Sequence, residues 1–440
     1  MRHPFTIGTL YPAGLGSAIL LAALAGASCN KNDPNALLGS GTSNTSCVGM
    51  GGSPGAGGAG SSTSSTSSST SSTSSGATTT TGTGAPPPPP KTVLDDRVLD
   101  YPEALRTASF KLVGNAPTLE QIEALRTTPD ADKPAKYGEM IDAMMDDPRF
   151  AVRMVAFWKN TMRMGGAAAG GKPSRDTAPT LAARITVEGR PYTDLFTATE
   201  HTCPTFDGTT FADGECPNGP VTAGLLSDPG IHAQYYGNLA FRRVRFFQET
   251  FVCRKQPAEL VQNPKPIGSN GATYSSPWDM ASIAGTDNGG RIDFHDISSA
   301  ICANCHTTSN HRAPLFANFD ANGKYQDTIQ VHVPVVGEPV AVIDDLLPQM
   351  PSPEPPAWKF GVPTKDLAEL GAAMAKDDEV LGCAVKRIWN YAMSKGDIVN
   401  DAADVPTEVI DPLNKVFKDG GYNLRKVIRA AFVSDDFVRF

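Results

Sequence analysis

The residues CANCH at positions 302–306 are the part of the chain whose types and spacing point most directly to chemistry. Two thiols three positions apart lie on one helical turn, so both can add to the two vinyl groups of a haem. The histidine after the second thiol can then bind the iron. The spacing therefore predicts one covalent haem c, with Cys302 and Cys305 as thioether anchors and His306 as the proximal iron ligand.

An electron-transfer haem needs a second axial ligand, and methionine in that place raises the reduction potential. Met350 lies between Pro348 and Pro351 and is the only methionine between the motif and residue 374. We therefore expect Met350 to be the candidate distal ligand. Three histidines are alternatives that would lower the potential relative to methionine, namely His295, His311 and His332.

Two other chemistries are compatible with the same residues. Zinc prefers tetrahedral sites, and Cys302 and Cys305 with either His306 or His311 would supply three or four ligands. The two thiols could instead form a simple disulfide. The sequence has no second C-x-x-C pair, no Walker loop, no G-x-S-x-G and no H-E-x-x-H. These absences argue against a zinc ribbon, an NTPase and common hydrolases. We assign no catalytic residue, and whether the protein is an enzyme stays open.

Residues 1–28 predict a secretory signal peptide, because a short apolar run follows Arg2 and ends at Cys29. The run is too short and too rich in small residues to span a bilayer. Residues 26–29 read GASC, which matches a bacterial lipobox except for its first position, and this predicts lipidation of Cys29. Residues 23–25 read ALA and fit ordinary signal peptidase, so both cleavage sites stay open. The expected localisation is that of an exported outer-membrane or cell-surface lipoprotein, and the periplasmic side is compatible with it.

Residues 29–91 predict a lipid-anchor cysteine followed by a disordered tether. The tether is dominated by Ser, Thr and Gly, which have little to bury, and Pro86–Pro90 ends it with a stiff polyproline run. The formal net charge of the chain is −8, and no basic stripe occurs along it. The charge balance therefore excludes nucleic acid as an expected partner, and the expected membrane contact is the lipid anchor.

Helical periodicity after the tether predicts a mainly α globular region with loop-rich insertions and a cytochrome-c-like haem segment. For example, Thr118 and Gln121 form a capping-box pattern. The stretch 331–343 predicts a short hairpin with Gly337 near its turn. Four segments are expected: an N-terminal helical segment at 92–165, a loop-rich segment with an arginine-rich helix at 166–290, the haem-c-type segment at 291–360, and a C-terminal helical segment at 361–440.

The chain has eight cysteines, and four of them are disulfide candidates in an exported protein. Cys203 and Cys216 flank a short polar loop, and we expect them to pair. Cys253 and Cys383 could pair across a long loop or remain as two buried thiols. Three arginines lie close together in the arginine-rich helix, namely Arg242, Arg243 and Arg245. They predict a face that is solvated or ion-paired. Haem propionates are an alternative partner for one of them.

Several stretches together resemble a family of uncharacterised exported proteins of planctomycete and myxobacterial type. FKLVGNAPTLEQIEAL and YGEMIDAMMDDPRFAVRMVAFWKN resemble the N-terminal segment of large planctomycete proteins with a cytochrome c domain. RRVRFFQETFVCRKQPAE followed by CANCHTTSNHRAPLFANFDANGKY is similar to a related module, and VLGCAVKRIWNYAMSKG to its C-terminal helices. The resemblance implies an exported, mostly helical protein with a c-type motif, and it implies no activity. NHRAPLF stands where such proteins usually have D-P-x-G.

These observations together predict an exported, membrane-tethered haem protein that transfers electrons to or from a redox partner protein or a small electron carrier. We expect Asp320, Gly323 and Tyr325 to shape the loop after the motif. Two other functions stay open. One is a cell-surface haem oxidoreductase with a substrate site in the loop-rich region 165–235, and the other is a structural or binding lipoprotein with zinc or a disulfide at the motif.

Overall fold

Helices dominate the part of the chain that the computed structural model describes, which comprises residues 96–237, 239–256, 265–267, 272–278, 300–333, 342–345, 355–396 and 405–440. Helices hold 54% of these residues and strands 8%, so the prediction of a mainly α fold is confirmed. None of the helices in these ranges combines the length and the apolar character that crossing a membrane requires. The predicted signal peptide, Cys29 and the tether lie outside the described residues.

Four helices form the N-terminal segment: α1 (Tyr101–Leu112), α2 (Leu119–Thr127), α3 (Lys133–Asp146) and α4 (Pro148–Met162). The predicted capping box begins α2, because the Thr118 hydroxyl accepts from the Gln121 N–H while the Gln121 side chain accepts from the Thr118 N–H. Asp147 caps α4 at the Arg149 N–H. The methionines of α3 and α4 fill the core.

The next segment contains more regular structure than its glycine, proline and aspartate content predicts. It holds α5 (Thr177–Glu188), α6 (Asp194–Thr197), the strand pair β1 (Thr205–Phe206) and β2 (Phe211–Ala212), α7 (Pro229–Gln234) and α8 (Phe241–Phe251). The prediction of a loop-rich region is wrong for α5, which is buried over most of its length. The Trp158 indole N–H of α4 donates to the Thr186 hydroxyl of α5, 3.1 Å away. Alanine, leucine and arginine in the middle of α5 favour helix, and packing against α4 buries it.

The remaining elements are short antiparallel strand pairs and helices. They are β3 (Lys265–Ile267), β4 (Ala272–Tyr274), α9 (Ala300–Arg312), β5 (Gln330–Val333), β6 (Val342–Asp345), β7 (Ala357–Lys359), β8 (Val362–Pro363), α10 (Leu367–Met374), α11 (Asp378–Ala392), α12 (Thr407–Asp419), α13 (Leu424–Phe432) and α14 (Asp435–Val438). The antiparallel pairing of the predicted hairpin is confirmed, with Val333 opposite Val342, and its expected turn near Gly337 lies outside the described residues. The other three strand pairs were not predicted.

The first and last helical segments share one hydrophobic core. The buried Tyr137 hydroxyl of α3 donates to the Phe432 carbonyl at the end of α13, 2.9 Å away. Val98 and Phe440 exchange two backbone hydrogen bonds near the chain's last residue. The expected disulfide between Cys203 and Cys216 is present, and Cys253 and Cys383 form a disulfide rather than two buried thiols. The second disulfide joins the segment after α8 to α11.

Arg243 of α8 is buried, and its guanidinium binds backbone carbonyls from two separate segments. It donates to the His232 carbonyl at 2.9 Å and, from the chain after α9, to the carbonyls of Phe316 at 2.7 Å and Phe319 at 2.8 Å. Burial lowers the pKa of Arg243 to about 10, which leaves it charged at neutral pH. The expected solvated face is therefore wrong for Arg243, because tertiary carbonyls replace its water. Arg245 does form the expected ion pair, with Glu249.

We expect Arg243→Lys to lower the free energy of unfolding by about 2–4 kcal/mol, because an ammonium cannot span carbonyls that a planar guanidinium reaches together. Urea unfolding followed by circular dichroism measures the change. Arg245→Lys is the matched control on the same helix, and we expect a change below about 0.5 kcal/mol for that exposed ion pair. Equal losses in the two variants would contradict the assigned role of Arg243.

Candidate functional site

The motif CANCH lies within α9, so its two cysteine positions are one helical turn apart, as covalent haem attachment requires. The helix continues for six residues after His306 and ends at Arg312. The side chain of Cys302 and all of Met350 lie outside the described residues, as do His295 and the side chain of His332. The structure therefore brings Cys302, Cys305 and His306 onto one helix and leaves the distal ligand as a prediction.

The His306 imidazole is held in a defined orientation. Its Nδ1 lies 3.2 Å from the Asn310 side-chain oxygen, one helical turn later, and its ring meets the Phe241 ring edge-on at 4.9 Å between centroids. A hydrogen on Nδ1 that is donated to Asn310 leaves Nε2 with the lone pair that binds metals. Burial lowers the pKa of His306, and the Asn310 hydrogen bond opposes this shift only in part. The imidazole is therefore neutral at pH 7, the form that can be a ligand.

Asn304, between the two cysteines, attaches α9 to the strand β4. Its side-chain oxygen accepts from the Ser275 N–H at 2.9 Å, and its amide donates to the Thr273 carbonyl at 3.1 Å. These two bonds satisfy backbone groups beside β4 and fix the helix against it. Asn304 therefore has a positioning role.

The buried side chain of Arg312 holds the C-terminal end of α9 in place. Its guanidinium donates to the Trp358 carbonyl at 2.7 Å and to the Gln248 side chain at 2.6 Å, and it stacks on the Trp358 ring. His311 is also buried, with its ring stacked on Trp278 at 4.2 Å. Since His311 follows His306 by five positions on one helix, their side chains point about 140° apart. This geometry disfavours His311 as a distal ligand. A distal ligand would have to approach a haem from the face opposite to His306, and a residue on the same helix cannot reach that face.

The loop after α9 is shaped by the three residues predicted for that role. Asp320 accepts from the backbone N–H groups of Asn322 and Lys324 at 2.7 and 3.0 Å. Gly323 has a φ of +71° and lies so near the Pro229 carbonyl that a Cβ would come within 2.0 Å of its oxygen. The Tyr325 N–H donates to the Asn218 side chain at 2.8 Å.

Asp228 lies beside the disulfide between Cys203 and Cys216. Its carboxylate accepts from the Thr177 hydroxyl at 2.5 Å and from the Ile231 N–H at 2.8 Å, and it lies 3.8 Å from the Cys203 sulfur. Among the described residues, Cys203, Cys216 and Asp228 form the one group of three or more His, Cys, Asp or Glu side chains placed to hold a metal ion. Their possible ligand atoms lie within 4.8 Å of one another. Because the two sulfurs are bonded to each other, the group is not a metal site in this state.

Some of these residues escaped the sequence-based prediction. The sequence could have indicated Asn310, because it lies four positions after His306 and so on the same helical face. The sequence could also have indicated Asp228, because it precedes Pro229 at the start of a helix. No sequence pattern indicates Asn304 or Arg312, because their partners lie on segments whose proximity depends on the fold.

Asp228 should make the folding stability depend on pH. Burial raises its pKa to about 6 from an ordinary value of 3.8. The folded state then binds more protons than the unfolded state between these values, so the contribution of Asp228 to stability falls as pH rises through this window. We expect Asp228→Asn to gain stability relative to the wild type between pH 4 and 6, by up to about 3 kcal/mol.

Urea unfolding at successive pH values tests this expectation. Asp207→Asn is the control, because backbone N–H groups of Thr210 and Thr209 lower the pKa of Asp207. The stability that Asp207 contributes is present above its unfolded pKa and is lost as pH falls, so the control should deviate in the opposite direction. A difference between Asp228→Asn and the wild type that does not change with pH would refute the assignment.

One family model matches the chain over residues 93–182, and its description is PSCyt2, a protein of unknown function (DUF1549). The match runs from before α1 into α5, so it ends well before the motif at 302–306. No curated protein and no solved structure matches the chain. The family match supports a relationship to uncharacterised planctomycete-type proteins over the N-terminal helices.

Proposed function

We propose that this protein is an exported, membrane-tethered haem protein that transfers electrons, with one covalent haem c on α9. The observation that carries the proposal is the orientation of His306 on the helix that also bears the C-x-x-C spacing. Its Nδ1 lies 3.2 Å from the Asn310 side-chain oxygen, and a hydrogen donated from Nδ1 to that oxygen would make Nε2 the nitrogen with the lone pair for iron. Cys302 and Cys305 would hold the haem as thioethers.

The described residues around the motif fit such a group. The imidazole is neutral because burial lowers its pKa, and a neutral imidazole is the form that binds metals. Asn304 and Arg312 anchor the helix on both sides of His306, which keeps the ligand orientation constant. When bound, a c-type haem supplies reversible one-electron chemistry, with a potential set by its second ligand. Met350 remains our proposal for that ligand.

The proposal extends to the location and the partner. Cys29 would carry the lipid anchor, and the tether before residue 92 would hold the helical unit away from an outer membrane or cell surface. The electron donor or acceptor would be a redox protein or a small carrier. The name PSCyt2 of the matched family is in keeping with cytochrome chemistry, although its description assigns no function.

Haem attachment is tested by expressing the full chain in a host with haem c maturation machinery. We expect haem that survives a denaturing gel and a sharp α band in the reduced spectrum. Cys305→Ala should weaken covalent attachment, and His306→Ala should remove the low-spin spectrum. His201→Ala is the control, because this half-exposed histidine pairs with Glu215 on another segment. A folded wild type without haem would sink the proposal and favour zinc or a disulfide at the motif.

The distal ligand is tested separately with Met350→Ala. We expect loss of the near-infrared charge-transfer band typical of methionine ligation, and a lower reduction potential, because a methionine ligand raises it. Met393→Leu, which changes a methionine just after α11, should leave both unchanged. An unchanged spectrum in Met350→Ala would exclude Met350 as the ligand. If the wild-type iron then binds external ligands readily, the oxidoreductase function is favoured.

A further inference from the structure

A cavity of about 370 Å³ lies between α4 and α11, on elements that the haem proposal does not use. One face of α4 lines it with residues at positions 153, 156, 157, 160 and 161, the spacing of a single helical stripe. The opposite wall comes from the last two turns of α11 and from Lys395 and Gly396 after it. Among the described residues, the cavity is partly open to solvent.

The charge on the cavity wall has one sign. Arg153, Arg387 and Lys395 line the cavity, and no aspartate or glutamate is among its described lining residues. Arg153 is held at the edge, because its Nε donates to the Lys111 carbonyl at 3.1 Å. Arg387 is buried and donates to the carbonyls of Thr250 and Glu249, so it contributes charge from a fixed position. Cations next to a low-dielectric wall favour an anionic occupant.

Asn390 provides an acceptor in the same wall. The residue is 3% exposed, and its amide nitrogen lies 3.4 Å from the Gly396 carbonyl. The Asn390 side-chain oxygen is buried and has no hydrogen-bond partner among the described residues. A buried acceptor without a donor is unfavourable, so a ligand that brings a hydroxyl or N–H group gains binding energy once the Asn390 side chain has turned into the cavity.

Two aromatic rings complete the cavity. Phe157 of α4 and Tyr391 of α11 meet edge to face, with ring centroids 5.1 Å apart, and both are only partly buried. Their apolar surface suits the carbon skeleton of a small ring. Lys111 lies behind Tyr391 with its ammonium 5.4 Å from the ring centre, which adds a further positive charge close to the site.

We infer that this cavity binds a small hydroxylated organic anion of the sugar-acid or sugar-phosphate class. Its carboxylate or phosphate would pair with Arg153 and Lys395, and a hydroxyl would donate to the Asn390 oxygen. Phe157 and Tyr391 would contact the ring of the ligand. The inference is independent of the proposed haem, because none of these residues lies on α9.

Calorimetric titration of the full chain with glucuronate, glucose 6-phosphate, neutral glucose and acetate tests the inference. We expect glucuronate or glucose 6-phosphate to bind and both other probes to bind at least about 10-fold more weakly. Binding of only one anion identifies the group as a carboxylate or a phosphate. Arg153→Gln and Lys395→Gln should each weaken binding by about 10-fold, and Asn390→Ala should reduce the preference for glucuronate over acetate.

Lys386→Gln is the matched control, since Lys386 lies on α11 but does not line the cavity. It should change the dissociation constant by less than about 2-fold, as expected for a charge outside the site. Circular dichroism checks that each variant folds, and Lys395→Gln, at an exposed position, keeps the test valid if another variant does not. The inference is overturned if neither anion binds, if glucose binds equally well, or if folded Arg153→Gln and Lys395→Gln bind like the wild type.

Discussion

The buried guanidinium of Arg243 is the constraint on which the arrangement around the motif depends. It donates to the carbonyl of His232 in α7 and to those of Phe316 and Phe319 after α9. Burying this charge is tolerable only because the peptide oxygens replace its water. The planar fork of an arginine can serve several acceptors with one geometry, whereas a lysine cannot. Three chain segments are thereby held at one point, and the chain that follows the C-terminal end of α9 is fixed there.

Helix α8 extends this constraint in both directions. At its start, Phe241 contacts the ring of His306. At its end, Arg387 of α11 binds the carbonyls of Glu249 and Thr250, and the disulfide between Cys253 and Cys383 closes the same junction. The helix therefore joins the surroundings of the motif to α11, which forms a wall of the basic cavity. A covalent link and buried hydrogen bonds act together there, which restricts relative motion of the two helices.

Polar contacts, rather than apolar packing alone, determine how α9 lies. Asn304 bonds to the backbone beside β4, and Arg312 bonds to Trp358 and Gln248. Each contact is directional, so the rotation of the helix about its axis is determined as well as its position. A functional histidine needs this support, because its ring must face one way for a ligand to bind at a defined distance. The Asn310 side-chain oxygen lies 3.2 Å from Nδ1 of His306, which favours the tautomer with its hydrogen on Nδ1.

Local patterns in the sequence determined the mainly helical class, the capping box at Thr118 and the helical spacing of the motif. These features depend on residues within one or two turns of each other, and short-range geometry suffices to predict them. The short loop between Cys203 and Cys216 suggested the first disulfide, whereas the pairing of Cys253 with Cys383 stayed open until the fold brought them together. The tertiary structure alone decided that Arg243 is buried, that α5 is helical against α4, and that Asn390 faces a basic cavity. Each of these outcomes joins residues far apart in the chain, where the environment that sets charge, burial and hydrogen bonding exists only after folding.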